Sequence, residues 1–368
     1  LSAQEAMNAS EYSPEPLSES IDLTQQALFL YTSGTTGHPK GAMISHANIL
    51  ACLKGLHEAW QWSPEDKLLH VLPLFHVHGL IVAQFGALYA NAQTILEPSF
   101  DAHRAVRVLK EENISICMAV PTIHYRLLQV ENIPELPALR LLTSGSAPLP
   151  VAIHEKIRER FGIGITERYG MTEVGIVLSN PYPQGARPGT VGFPVGDARF
   201  KIMNSDGEEC SIGQIGELWI KGSSVIQAYW NRPKQTEESI TDGWLHSGDL
   251  ACLDSDGYYS IVGRAKDLII SGGFNVYPKE IENLLLKIKS LKEVAVIGVP
   301  DEEWGERVIA LLIGSAEEAE LKQFCQANLA SYKRPKKYIF VDDFPRNAMG
   351  KIQKAKLREI YGEKKLFS

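Results

Sequence analysis

The sequence predicts an α/β protein, and three observations carry that prediction. Strand-like and helix-like segments alternate from Ala27 to Gly170, the pattern of a parallel sheet covered by helices. From Arg187 to Gly263 short strand-like runs are separated by Gly, Asp and Asn turns, which reads as a small, largely antiparallel subdomain. Beyond Gly263 a glycine loop, helices and strand-like runs make up a separate α+β unit.

Composition sets the outer limits. The 368 residues are 44% hydrophobic and 22% charged, ample for more than one core. A net charge of -7 gives no basic footprint for nucleic acid, and no apolar run approaches the roughly 18 residues of a membrane span, so a soluble protein is expected. The cysteines Cys52, Cys117, Cys210, Cys252 and Cys325 contain no C-x-x-C pair and read as free thiols of a reducing compartment. Leu1 to Thr24 is polar and acidic, unlike a signal peptide, so the cytoplasm is the expected location. Composition leaves the oligomeric state open.

In chain order, Ala27 to Tyr31 reads as a strand, and Tyr31-Thr32-Ser33-Gly34-Thr35-Thr36-Gly37-His38-Pro39-Lys40-Gly41 follows. Two glycines let the backbone approach an anion, four hydroxyls offer donors and Lys40 adds a positive charge, as a phosphate loop requires. The spacing Gly34-x-x-Gly37-x-x-Lys40 is not the Walker pattern G-x-x-x-x-G-K-[ST]. Its competitor is a Ser/Thr/Gly linker, which needs neither the upstream strand nor the lysine.

A helix then starts with Ser45 as its N-cap, and its apolar positions Ile49, Leu50, Leu53 and Leu56 recur at helical spacing. Strands are expected over 68–72, 94–96, 114–120, 139–143 and 166–169, with helices over 80–90, 102–111, 122–129 and 151–161. Sheets of this kind bind ligands at the carboxyl ends of their strands. Three motifs fall at such ends: Pro73 to Gly79 with His76 and His78, the small-residue turn Ser144-Gly145-Ser146-Ala147-Pro148, and Glu167-Arg168-Tyr169-Gly170-Met171-Thr172-Glu173. Further on lie Gly243 to Asp249, Gly263-Arg264-Ala265-Lys266-Asp267, Ser271-Gly272-Gly273-Phe274 and Pro345 to Lys351. Taken singly, these read equally well as turns, core histidines or solvated charges.

Taken in order, they resemble the adenylate-forming superfamily, which includes acyl-CoA synthetases, 4-coumarate-CoA ligases, luciferases and peptide-synthetase adenylation domains. The resemblance runs from Gln26 to Tyr361. It implies that Thr32, Ser33, Gly34, Thr35, Thr36, Gly37 and Lys40 cradle the ATP phosphates. Ser144, Gly145, Ser146 and Ala147 and the run Arg168, Tyr169, Gly170, Met171 and Thr172 would hold the adenine and α-phosphate, with Tyr169 stacked on the base. Asp249 and Arg264 would hold the ribose. Glu173 would hold Mg²⁺, which wants a hard carboxylate oxygen and keeps several waters. His76, His78, Ser144 and Met171 would line the acyl pocket. The resemblance implies a catalytic set of Lys351, Thr172, Glu173 and His76, the histidine without a proton-transfer role. It also makes Lys266 the hinge between 1–265 and a mobile C-terminal domain, 266–368. The loop Ser271 to Phe274 would reach the coenzyme A channel. Family members carry a sizeable region ahead of the phosphate loop, so the chain is expected to be N-terminally shortened.

The implied reaction uses ATP, Mg²⁺ and coenzyme A. A carboxylate attacks the α-phosphorus, and the resulting acyl-adenylate then passes to the coenzyme A thiol. Met118 to Leu128, the run from Arg168 and Phe344 to Lys351 look most like malonyl-CoA synthetases. A dicarboxylate needs a second cation, and Arg126 is the expected one, its other reading being a surface arginine. The alternatives are a fatty or aryl acid in an apolar pocket, an adenylating enzyme that delivers to a carrier protein or oxidises the adenylate, and an inactive shortened chain.

Overall fold

A computed structural model describes residues 20–32, 39–183, 186–347 and 351–362. Its first departure from the expected order comes at once. Strands β1 (Gln26–Thr32) and β2 (Lys40–Ser45) pair antiparallel, with Thr32 opposite Lys40, and form a ribbon outside the main sheet. The segment Lys40 to Ser45 does not announce itself as a strand because Gly41 and Ala42 blur its alternation. Gly41 instead leaves room for Tyr31 and Trp230, whose atoms lie 3.4–3.5 Å from where a Cβ would sit. Ser45 caps the following helix, His46–Trp60, as expected: it accepts from the Asn48 amide and donates its own amide to Asn48 Oδ1.

The main sheet contains β3 (Lys67–His70), β4 (Gln93–Leu96), β5 (Ile116–Ala119), β6 (Leu141–Ser144), β7 (Ile165–Met171), β8 (Gly175–Ser179) and β9 (Phe193–Pro194). Their spatial order is β4-β3-β5-β6-β7-β8-β9, parallel as far as β7 and antiparallel beyond it. The central parallel strands β5 and β6 are largely apolar and wholly buried, as cover on both faces demands. Helices Ala102–Glu111, Pro121–Leu127 and Val151–Phe161 make the crossovers. The run read as one helix from Leu80 is a π-helical stretch, His78–Phe85, continued by Gly86–Tyr89. Its entrance is tight, since a Cβ on Gly79 would meet Pro73 O at 2.1 Å.

The antiparallel subdomain consists of β10 (Arg199–Met203), β11 (Ile215–Lys221), β12 (Ile240–Thr241), β13 (Trp244–Leu253) and β14 (Tyr259–Arg264). Here Trp244 to Asp249, read as a turn motif, belongs to the ten-residue strand β13. Gly248, at φ +68, marks the local distortion that made the motif look like a turn.

The last sheet is built from β15 (Ile269–Ser271), β16 (Phe274–Val276), β17 (Leu291–Asp301), β18 (Gly305–Gly314) and β19 (Lys337–Phe340). Gly272 and Gly273, both at positive φ, form the two-residue turn of the β15–β16 hairpin. Helices Pro278–Leu285, Glu318–Asn328 and Lys354–Tyr361 complete the unit. Its apolar clusters draw on residues from Ile269 onward, and those of the rest of the molecule on residues up to Ile261.

Candidate active site

The site lies at the carboxyl ends of β6 and β7 and extends to the middle of β13 and the end of β14. Two of its walls differ sharply in how their polar groups are satisfied.

On one wall every charge has a partner. Asp249, buried on β13, accepts from Tyr169 Oη at 2.7 Å and pairs with Arg264 Nε at 2.9 Å. Arg264 sits opposite Asp249 across the β13–β14 ladder, so sheet register dictates the pair. Burial and the Asp249 carboxylate push the Tyr169 phenol well up, which keeps it a neutral donor. Next to them, buried Glu173 accepts from Tyr229 Oη at 2.9 Å, and burial raises its carboxyl. Lys40 Nζ stands 5.1 Å over the ring of Tyr229, the residue whose hydroxyl bonds Glu173.

On the other wall several buried polar atoms have no hydrogen-bond partner among the described residues. Arg168, on β7, is 4% exposed, and its Nε and one terminal nitrogen have no hydrogen-bond partner among the described residues. Burial lowers it to about 9. Its guanidinium lies against Gly145, where a Cβ would meet the three nearest guanidinium atoms at 2.4–2.6 Å. Any side chain at Gly145 would have to displace the Arg168 guanidinium from this position. Ser144 Oγ is buried without a partner among the described residues, and Ser146, at φ +67, sets its Oγ 3.3 Å from His78 Nδ1.

His78 is buried, with Nε2 unpartnered, and burial followed by the charge of Arg168 holds it well below the usual histidine range. His76 falls to about 4 through burial and the charges of Lys351 and Arg168. Both are therefore neutral at physiological pH.

Lys351 comes to this same place from the C-terminal unit. Asn347 holds its segment: Lys351 donates its amide to Asn347 Oδ1 at 3.0 Å, and Asn347 returns its amide to Lys351 O at 3.0 Å. The side chain keeps contact with solvent, yet desolvation and the neighbouring Arg264 lower it to about 8, Asp249 opposing and Arg168 adding to the shift.

The structure therefore gathers Lys40, His76, His78, Ser144, Gly145, Ser146, Arg168, Tyr169, Glu173, Asp249, Arg264 and Lys351 about one cleft. Thr32 lies on β1 beside Lys40, its Oγ1 3.5 Å from Lys40 O. Gly170 packs against β8, where a Cβ would strike Gly175 O at 1.9 Å, and Met171 and Thr172 follow at half-buried positions. Ala147 stays in the turn after β6. Ser33, Gly34, Thr35, Thr36 and Gly37 lie outside the described residues.

Lys266 is exposed on the single turn Ala265–Asp267 between the two units. Ser271, Gly272, Gly273 and Phe274 make the β15–β16 hairpin, with Gly272 against Trp304 and Phe274 stacked on Tyr332.

Arg126 reads from the sequence either as the cation for a second carboxylate or as a surface arginine, and its position fits the surface reading. It is exposed on the helix Pro121–Leu127, whose buried positions are Ile123, His124 and Leu127. The interior cation is Arg168, which the resemblance had grouped with the nucleotide. The available signal was an arginine within an interior strand, where an unpaired charge is costly.

No group of three or more His, Cys, Asp and Glu side chains that could cage a metal occurs among the described residues. Mg²⁺ nonetheless fits beside Glu173, because it is commonly held by one or two carboxylates together with substrate phosphates and water.

A profile of the AMP-binding enzyme family matches residues 2–230, and that of the AMP-binding enzyme C-terminal domain matches residues 280–351. The chain belongs to the AMP-binding enzyme family. Among its relatives, the mitochondrial malonate–CoA ligase ACSF3 of Mus musculus is 38% identical over 389 residues, covering 94% of this chain and 67% of that protein. A sulfoacetate–CoA ligase of Cupriavidus necator is 37% identical, covering 90% of this chain and 66% of that protein. The crystal structure of ATP-bound MatB from Rhodopseudomonas palustris superimposes with a TM-score of 0.92 at 39% identity, covering 97% of this chain and 72% of that one. MenE from Bacillus subtilis in complex with ATP and magnesium gives 0.85 at 31% identity, with 96% and 74% covered. The chain thus spans about two thirds of the length of the curated family members it matches.

Proposed function

We propose that the chain is an ATP-dependent, AMP-forming acid:CoA ligase whose substrate is a short dicarboxylate, malonate first. The observation that carries this reading is Arg168, a buried guanidinium with unused donors in a pocket walled by neutral His76 and His78. A buried unpaired cation is costly, and a planar carboxylate satisfies it through two parallel hydrogen bonds. A monocarboxylate would leave the cost in place. The malonate–CoA ligases among the relatives support the same substrate. The sulfoacetate–CoA ligase supports a second one, since a sulfonate would also pair with Arg168.

In the first step one oxygen of the acid attacks the α-phosphorus of ATP, and the bond to pyrophosphate breaks. Arg168 holds the far carboxylate, which aims the near one and leaves it free to react. Lys351 brings positive charge to the attacking oxygen and the α-phosphate, with Thr172 beside them. Lys40 and residues 32–37 hold the remaining phosphates. Tyr169 and the turn Ser144 to Ala147 receive the adenine; Asp249 and Arg264 receive the ribose. Mg²⁺, when bound with ATP at Glu173, supplies further neutralisation of phosphate charge.

In the second step the coenzyme A thiol attacks the acyl carbonyl, AMP leaves and the thiol proton passes to solvent. For this step the unit 266–368 turns about Lys266, withdraws Lys351 and presents the hairpin Ser271 to Phe274. An aqueous reducing compartment suits the five free cysteines, and we place the chain in the cytoplasm. A fluorescent fusion that colocalised with mitochondria would move it.

The test uses the 368-residue chain with Mg·ATP, coenzyme A and, separately, malonate, sulfoacetate, acetate, octanoate and coumarate. Pyrophosphate and thioester should form with the dianions and not with the other acids. A folded chain silent with all five would refute the ligase reading. Pyrophosphate without thioester would favour delivery to a carrier protein.

A further inference from the structure

The catalytic lysine must be carried into the cleft by a separate unit, so something has to hold that unit in place. We propose that Lys279 is the latch: it anchors the helix Pro278–Leu285 to the large unit and, through Glu282 and Lys354, seats the segment that bears Lys351. This rests on the ligase reading above and concerns a positioning residue, not a group that touches the reacting atoms.

Three observations join into one path. Lys279 Nζ donates to the main-chain carbonyl of Ile261 at 2.6 Å, from the C-terminal unit to strand β14, against which its helix packs. The carboxylate of Glu167, one residue before Arg168 on β7, lies near enough to favour the Lys279 charge, although burial lowers the group. One turn along the same helix, Glu282 pairs with Lys354 Nζ at 2.6 Å and also accepts the Val296 amide at 2.8 Å. Lys354 opens the helix that follows Lys351, and Arg358 of that helix pairs with Asp267 beside the hinge at 2.6 Å.

Lys279 and Ile261 lie on opposite sides of Lys266, so rotation about the hinge must break their bond. The pairs Glu282–Lys354 and Arg358–Asp267 lie wholly beyond Lys266 and travel with the C-terminal unit. Lys279 therefore holds the arrangement needed for the first step and has no part in the second.

The test compares Lys279→Met with Lys279→Arg. Losing a charge-assisted hydrogen bond should cut malonate-dependent adenylate formation by about tenfold. Thioester formation from presynthesised malonyl-adenylate should stay within about twofold, and Lys279→Arg should restore most of the first step. Equal losses in both steps, with an unchanged melting midpoint, would overturn the latch.

A readout independent of turnover separates failure of the latch from failure of the ligase reading. Amide hydrogen exchange over 278–285 and 351–362 should quicken at least tenfold in Lys279→Met. Unchanged exchange there would refute the latch even if the protein proved silent with every acid.

Discussion

The wall proposed for the ribose, centred on β13 and β14, and the wall proposed for the acid, at the ends of β6 and β7, belong to different sheets and solve opposite problems. On the first, Asp249, Arg264 and Tyr169 complete one another, and Glu173 has Tyr229. On the second, Arg168, Ser144 and His78 keep polar atoms buried and unpartnered among the described residues. A completed network is rigid before the ligand arrives and recognises it by shape. An uncompleted one stores a cost that only the right ligand relieves, and so discriminates chemically. Under the proposed function the nucleotide meets the first kind of wall, and the acid meets the second.

The largest effect that would break this contrast comes from Arg168→Met. Malonate-dependent adenylation should fall by a factor of about 100 or more, in line with 3–5 kcal/mol for stripping one partner from a buried ion pair. The unliganded variant should melt higher than the parent, because the uncompensated charge is gone. A lower melting point would mean that Arg168 is paired in the resting protein, and the contrast would collapse.

Lys351→Ala comes next, with adenylate formation down about 100-fold and thioester formation from the preformed adenylate spared. If both steps fell together, Lys351 would be structural.

The same lysine predicts a pH limb. Its charge is needed and its folded value is about 8, below that of an ordinary lysine, so the active cationic form is lost as pH rises through about 8. The first-step kcat/KM should fall above that pH, and Lys351→Arg should push the limb out of range. His76, held near 4, stays neutral throughout and should add no limb between pH 5 and 7.

The ribose wall should answer more gently. Asp249→Asn should raise the KM for ATP by about tenfold and leave the ratio of malonate to acetate turnover unchanged. The smallest effect belongs to Tyr229→Phe. Its hydroxyl lowers the Glu173 carboxyl, so its loss lets that carboxyl rise further. More Mg²⁺, by about twofold to fivefold, should then be needed for half-maximal rate.

Much of this was legible in the residues themselves. The helices Ala102–Glu111 and Val151–Phe161 fall at the expected positions, and several motifs come together because they lie at the carboxyl ends of strands. Pairing was not legible. β2 was taken for the end of a loop, since nothing local says that Lys40 to Ser45 will lie against β1 and Tyr229. Trp244 to Asp249 read as a turn because Ser, Gly and Asp are turn formers, and only the partners β11 and β14 make it a strand. Arg126 and Arg168 carry the same side chain in the sequence. Burial separates them, and burial is a property of the folded chain.

The most direct test of the account is the ratio of kcat/KM for malonate to that for propionate, a monocarboxylate of the same chain length, in the parent and in Arg168→Met. The account predicts a ratio of at least about 100 in the parent, falling to near one in the variant as the malonate value drops and the propionate value holds. An unchanged ratio, with both substrates slowed alike, would contradict it and return Arg168 to the nucleotide.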